Sequence, residues 1–155
     1  MNKPINLLVV LITVLLTQTS CIRSIAQKNL TVEKGAIPPD FGRDSSTLLV
    51  IKSGKNSYDK YLNKNFKAYE GLYQMVNRNE INTLYQDSIK FRYVFDYNLE
   101  NKYVSGSSSG MNVRKFLVYD RITDRNYKAP LTSSFFSKIM KAYIHNLNKA
   151  IENNK

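Results

Sequence analysis

The chain has little of what catalytic and disulfide-stapled proteins are built from: one Cys, one His, no Trp, four Pro and six Gly in 155 residues. A lone Cys excludes an internal disulfide framework, and one Cys with one His is too few for a Cys/His zinc site. Acid is scarce as well, with 12 Asp+Glu against 23 Lys+Arg and a formal charge of +11. Long apolar runs are nearly absent. The longest, Leu7–Leu16 interrupted by Thr13, is about half of the roughly 20 residues that a membrane-spanning helix needs. What is present is 43% hydrophobic residues and 12% aromatics, Tyr above all, enough to fill one core and to exclude wholesale disorder. The length allows one domain.

Residues 1–20 read as an export signal, with Lys3 in a short polar start, the apolar stretch, and small or polar residues leading to Cys21. The run Gln18-Thr19-Ser20-Cys21 resembles the lipobox of Gram-negative bacterial lipoproteins, although Gln18 stands where Leu is usual. That resemblance implies cleavage before Cys21 and lipidation of its thiol and new amino terminus. With Ile22 and not Asp in the second position, it further implies sorting to the outer membrane, facing the periplasm. A second exit exists at Ser24-Ile25-Ala26, whose small-x-small spacing suits ordinary signal peptidase and would release a soluble chain starting at Gln27.

From residue 21 to 45 no hydrophobic period is sustained, and Gly35, Pro38, Pro39 and Gly42 punctuate the stretch. It reads as a flexible tether that reaches roughly 80 Å at about 3.3 Å per residue. Residues 46–155 then read as a single globular domain. Thr47–Ile51 is a short continuous apolar run, as in a strand buried on both faces. Ser57 is placed to cap a helix carrying Tyr58, Tyr61, Leu62, Phe66 and Tyr69, and Gly71 to end it. Leu72–Val76 reads as a second strand, parallel to the first. A two-turn helix is expected over Asn79–Gln86. Ile89, Phe91, Tyr93, Phe95 and Tyr97 alternate with Lys90, Arg92, Val94 and Asp96, the period of a strand with one aromatic and one mostly charged face. The Ser/Gly run 105–110 and Val113–Arg121 complete a long hairpin, Tyr127–Ala129 adds a short strand, and Phe136, Ile139, Met140, Tyr143, Leu147 and Ile151 form the stripe of a terminal helix. The fold class is α/β or α+β, a mixed sheet of four to five strands with an early β-α-β unit, a long antiparallel hairpin and a C-terminal helix.

In this layout residues 46–152 resemble the small α/β domain of three families: the amino-terminal part of the Tol-system beta-propeller protein, the curli secretion lipoprotein, and lipoprotein activators of penicillin-binding proteins. The resemblance implies a periplasmic protein-binding module without catalysis.

Chemistry is sparse. Gly54-Lys55 lacks the earlier Gly and the following Ser or Thr of a phosphate loop and reads as a turn. His145 falls off the buried stripe and reads as a surface histidine. Asp96 and Asp120 lie on the hairpin strands; a hydrolytic carboxylate pair and a salt-bridged strand face are both open, the second being the ordinary outcome. The densest basic cluster is Arg114-Lys115 with Lys102 across the hairpin, beside Tyr103 and Tyr119. These five are the candidate partner-binding residues, and Cys21 is the lipidation site. Removing residues 1–20 deletes Lys3 and no acid, so the basic excess survives export and favours an anionic partner. The expectation is a non-enzymatic, membrane-anchored periplasmic lipoprotein that binds an envelope protein or anionic polymer, with no cofactor, no metal and no nucleic acid. The alternative is a soluble periplasmic or secreted ligand- or polymer-binding protein released by cleavage after Ala26.

Overall fold

The computed structural model describes residues 25–103, 110–130 and 136–155, the side chains of 100–103 and 110–112 excepted. Its strands are β1 (Leu48–Ile51), β2 (Tyr73–Val76), β3 (Tyr93–Tyr103), β4 (Gly110–Asp120) and β5 (Arg125–Lys128); its long helices are α1 (Asn56–Phe66) and α2 (Phe136–Asn153). They form one mixed sheet in the order β2-β1-β3-β4-β5. The strands β2, β1 and β3 run parallel, and β3, β4 and β5 are antiparallel. This is the mixed five-stranded sheet anticipated from the hydrophobic periods.

All four residues of β1 are buried because the strand has cover on both sides. Leu48 and Val50 join the main core with Tyr58, Leu62 and Phe66 of α1, Met140, Tyr143 and Leu147 of α2, and Phe95, Phe116 and Val118 of the hairpin. Leu49 and Ile51 face the other way, into a smaller cluster with Val76 and Val94 that Ile81, Tyr85 and Phe91 cover. Both long helices therefore lie on one face of the sheet, and the 77–91 segment shields part of the other.

The tether reading of residues 25–45 is corrected. Ala26, Leu30, Ala36, Ile37 and Phe41 are all in the main core. Each large apolar side chain buried in this way contributes about 1.5–3 kcal/mol. Residues 25–29 form a helical turn, after which an irregular chain crosses α2. Side chains of α2 and of the residue after it hold it: Asn146 Nδ2 donates to the carbonyls of Gln27 (2.7 Å) and Leu30 (2.6 Å), Asn154 Nδ2 to that of Phe41 (2.9 Å), and the Tyr143 hydroxyl to that of Ala36. Gly42 has φ +87°, and a Cβ there would lie 2.6 Å from Ile151 Cα, so the chain passes α2 at a distance only glycine permits. Irregular backbone carries no period, which is why hydrophobic patterning read this segment as a tether. The same contact explains why Asn146 and Ala150 are buried beyond the expected stripe.

Smaller boundaries also move. Ser57 does not cap α1: Lys55 is the N-cap without a side-chain bond, and Asp59 in the first turn accepts from the Ser53 amide (2.9 Å) and hydroxyl (3.1 Å). The helix stops at Phe66, before Gly71, where an added Cβ would strike the Tyr69 ring. The expected helix over 79–86 is a 3-10 turn, Arg78–Glu80, closed by a reciprocal Asn77–Glu80 capping box. Strand β3 starts at Tyr93 and not Ile89, because the Asp87 carboxylate accepts from the Ile89 and Lys90 amides and folds 88–91 into a turn.

Candidate functional site on the hairpin

Adjacent residues of a strand point to opposite faces, so Arg114 and Lys115 cannot form one patch. Register places Arg114 opposite Leu99 and Lys115 opposite Asn98. Arg114 thus shares the helix-side face with Phe116 and Val118, and Lys115 shares the other with Leu117 and Tyr119. Lys102 and Tyr103 pair with Met111 and Gly110, and their side chains lie outside the described residues, as does Cys21. The single basic hairpin patch expected from the sequence is therefore corrected to two surfaces set back to back.

On the helix side, the Arg114 guanidinium carbon lies 4.8 Å from the ring centre of Phe136, 5.0 Å from Tyr58 and 5.4 Å from Tyr97. Tyr58 and Tyr97 pack ring on ring at 4.7 Å and Tyr58 stacks on Phe136 at 5.6 Å, so the cation sits among contacting rings. Burial, with Tyr97 and Asp96 nearby, pushes the Tyr58 hydroxyl above its ordinary pKa despite the opposing field of Arg114.

On the other side, the sheet beyond the 77–91 cover is a polar groove of about 500 Å³. Asp96 lies in it, forked to Arg78 at 2.7 and 2.8 Å, and also accepts from the Tyr97 amide (2.7 Å). The Tyr119 hydroxyl donates to Asp124 (2.8 Å), a bond to that carboxylate that raises the phenol pKa. Asn98, Asn126 and Lys128 complete the lining. Aromatic, amide and charged groups share this groove.

Asp96 and Asp120 do not pair: they stand opposite Leu117 and Tyr93 and on opposite faces. Asp120 is forked to Arg92 at 2.8 and 3.1 Å, and Arg92 also reaches Asp44 (3.1 Å) and Asp40 (3.4 Å) in the 25–45 segment. These are the salt-bridged strand carboxylates that the sequence reading held as the ordinary outcome. This network was missed, because nothing in the local sequence joins residues 40–44 to 92 and 120. His145 is exposed between α1 and α2. Gly54, at φ +73°, is a turn. Among the described residues no group of three His, Cys, Asp or Glu is arranged to hold a metal ion. No described helix is long and apolar enough to cross a membrane.

No family model, no curated protein and no solved structure matches this chain.

Proposed function

We propose that the chain is a lipid-anchored module of the bacterial envelope that binds another envelope component, an acidic protein face or an anionic polymer, and performs no chemistry of its own. The observation that carries the reading is the burial of Ala26, which is 1% exposed and whose carbonyl accepts from the Leu30 amide at 3.0 Å. Cleavage after Ala26 would remove this core residue and place a new ammonium group at Gln27, whose own carbonyl is engaged by Asn146. Cleavage before Cys21 leaves every described core residue in place. Only Ile22, Arg23 and Ser24 then separate the lipidated residue from the helical turn, a reach of roughly 13 Å at about 3.3 Å per residue. The domain is held against the outer membrane and does not stand far off it.

The basic excess supports an anionic partner. Among the described residues Arg43, Arg78 and Arg92 are engaged in ion pairs, whereas Lys60, Lys64, Lys67, Lys141 and Lys149 are exposed on the helix layer. The polar groove around Tyr119 is the second surface open to that partner.

Mass spectrometry of the mature amino terminus tests the reading. A diacylglyceryl-modified Cys21 is expected, and Cys21→Ser should shift the protein from membrane to soluble fractions. An unmodified chain starting at Gln27 would sink it and leave the soluble alternative.

A further inference from the structure

Among the described residues every arginine has an aspartate or carbonyl partner except Arg114 and the exposed Arg125, which lies over the Tyr127 ring at 5.8 Å. Arg43, Arg78 and Arg92 each meet an aspartate. Arg121 donates to the carbonyls of Tyr85 (2.8 Å), Phe91 (3.0 Å) and Gln86 (3.3 Å). Arg114 is half-buried yet has neither a carboxylate nor a hydrogen-bond acceptor among the described residues; its Nε is buried and unbonded. Ring faces attract the cation through their quadrupole, but they offer no lone pair to its five N–H donors.

A second unmet donor lies beside it. The Tyr58 hydroxyl is buried without a partner, although Tyr58 is fully enclosed. Among the described residues only the Tyr58 and Tyr93 hydroxyls and Arg114 Nε are buried and unpaired, so two of these three groups belong to one cluster. An unmet buried donor is costly in a folded protein and calls for an explanation. Two described apolar side chains beside the cluster are exposed: Leu99, the cross-strand neighbour of Arg114, at 57%, and Tyr61, edge-on to Phe136 at 5.6 Å, at 41%.

We propose that Arg114 and Tyr58 form the base of an anion site that takes a small organic anion, a phosphate monoester or a carboxylate carried on an apolar body. A guanidinium presents parallel N–H groups that match two oxygens of such an anion, and a phenol adds one further donor. Leu99, Tyr61 and Phe136 would cover the apolar body. A ring-caged guanidinium is desolvated, which strengthens its attraction for a counter-ion relative to a solvated lysine. The site is independent of whether Cys21 carries lipid.

Isothermal titration of the full chain in nonionic detergent, with phenyl phosphate and with benzoate, tests this. The titration is run at about 0.15 M salt, where the diffuse field of the lysines is screened beyond roughly 8 Å. Saturable uptake of one anion per chain is expected, and the stronger probe names the preferred head group. Arg114→Lys keeps the charge but loses the fork, and should weaken binding about tenfold or more. Tyr58→Phe removes one oxygen and should weaken it about threefold or more. Lys34→Gln, exposed in the 25–45 segment, should bind as the parent does. Weakened binding in either site variant supports the proposal, and if Arg114→Lys does not fold, Tyr58→Phe alone decides. Absence of saturable uptake of both probes, or unchanged binding in the site variants, overturns it.

Discussion

Arg92, one residue before β3, and Arg114, midway along β4, lie at different levels of the same β3–β4 hairpin, both against aromatic rings, with opposite electrostatic surroundings. Arg92 stacks on Tyr93 at 4.8 Å and is ringed by Asp120, Asp44 and Asp40; Arg114 stacks on Tyr58, Tyr97 and Phe136 and meets no described carboxylate. A guanidinium surrounded by aspartates is a fastener. Arg92 ties the 25–45 segment to the sheet and leaves no capacity for a ligand. A guanidinium surrounded by rings is held in place with its donors unspent. The pair separates an arginine that maintains the fold from one that the fold positions for something else.

The comparison is broken most severely by removing what Arg92 fastens. A chain beginning at Ser46 lacks Asp40, Asp44 and the core residues Ala26, Leu30, Ala36, Ile37 and Phe41. It should lose its cooperative thermal transition by circular dichroism, whereas a sharp transition in that fragment would place the segment outside the domain. Arg92→Met is next. It leaves Asp120, 1% exposed at its side chain, buried without its cation, and should cost about 3–5 kcal/mol in denaturant unfolding. A loss below about 1 kcal/mol would mean that the carboxylate has found other partners.

Acid should act on the same end of the hairpin. Burial opposes ionisation of Asp120, but the Arg92 hydrogen bonds, the Ile122 amide (3.0 Å) and Thr123 outweigh it and hold its carboxyl below the usual range. A carboxyl whose folded pKa is depressed stabilises the fold above the unfolded value of about 3.9 and loses that contribution as pH falls through the folded value. Stability should therefore drop below about pH 4, less steeply in Asp120→Asn, as read by denaturant midpoints across pH. The smallest effect belongs to Arg114→Met. It forfeits cation–π contacts of about 0.5–1 kcal/mol each but leaves no buried carboxylate behind, and the methionine keeps much of the packing. A loss above about 3 kcal/mol, in the range of a broken buried pair, would make Arg114 a second fastener and erase the contrast.

Much of the sheet was legible because it obeys a period. Leu48–Ile51 shows a strand buried on both faces, and Tyr93, Phe95 and Tyr97 alternate with residues of the other face. The stripe of α2 was legible for the same reason. Ile89 and Phe91 continue the alternation, yet they lie in a turn, since the Asp87 carboxylate accepts from the Ile89 amide and the Asp87 main-chain carbonyl from the Phe91 amide, closer partners than a neighbouring strand. Residues 25–45 were illegible because Ala26, Leu30, Ile37 and Phe41 fit a groove beside α2 and follow no repeat of their own. At the candidate site, the residue types were right and their grouping was not. Arg114 and Lys115 are neighbours in sequence, and strand geometry sends them to opposite faces.

The sequence by itself determined the core positions of the regular strands and of the terminal helix, the mixed sheet with its hairpin and closing helix, and the shortage of groups for covalent or metal chemistry. These follow from local periods and from counts, which need no knowledge of distant contacts. The tertiary structure alone decided that residues 25–45 belong to the domain, that Arg92 is saturated by aspartates from two distant segments, and that Arg114 is not. Saturation of a charge depends on which distant residues reach it when the chain packs, and no window of sequence contains that information.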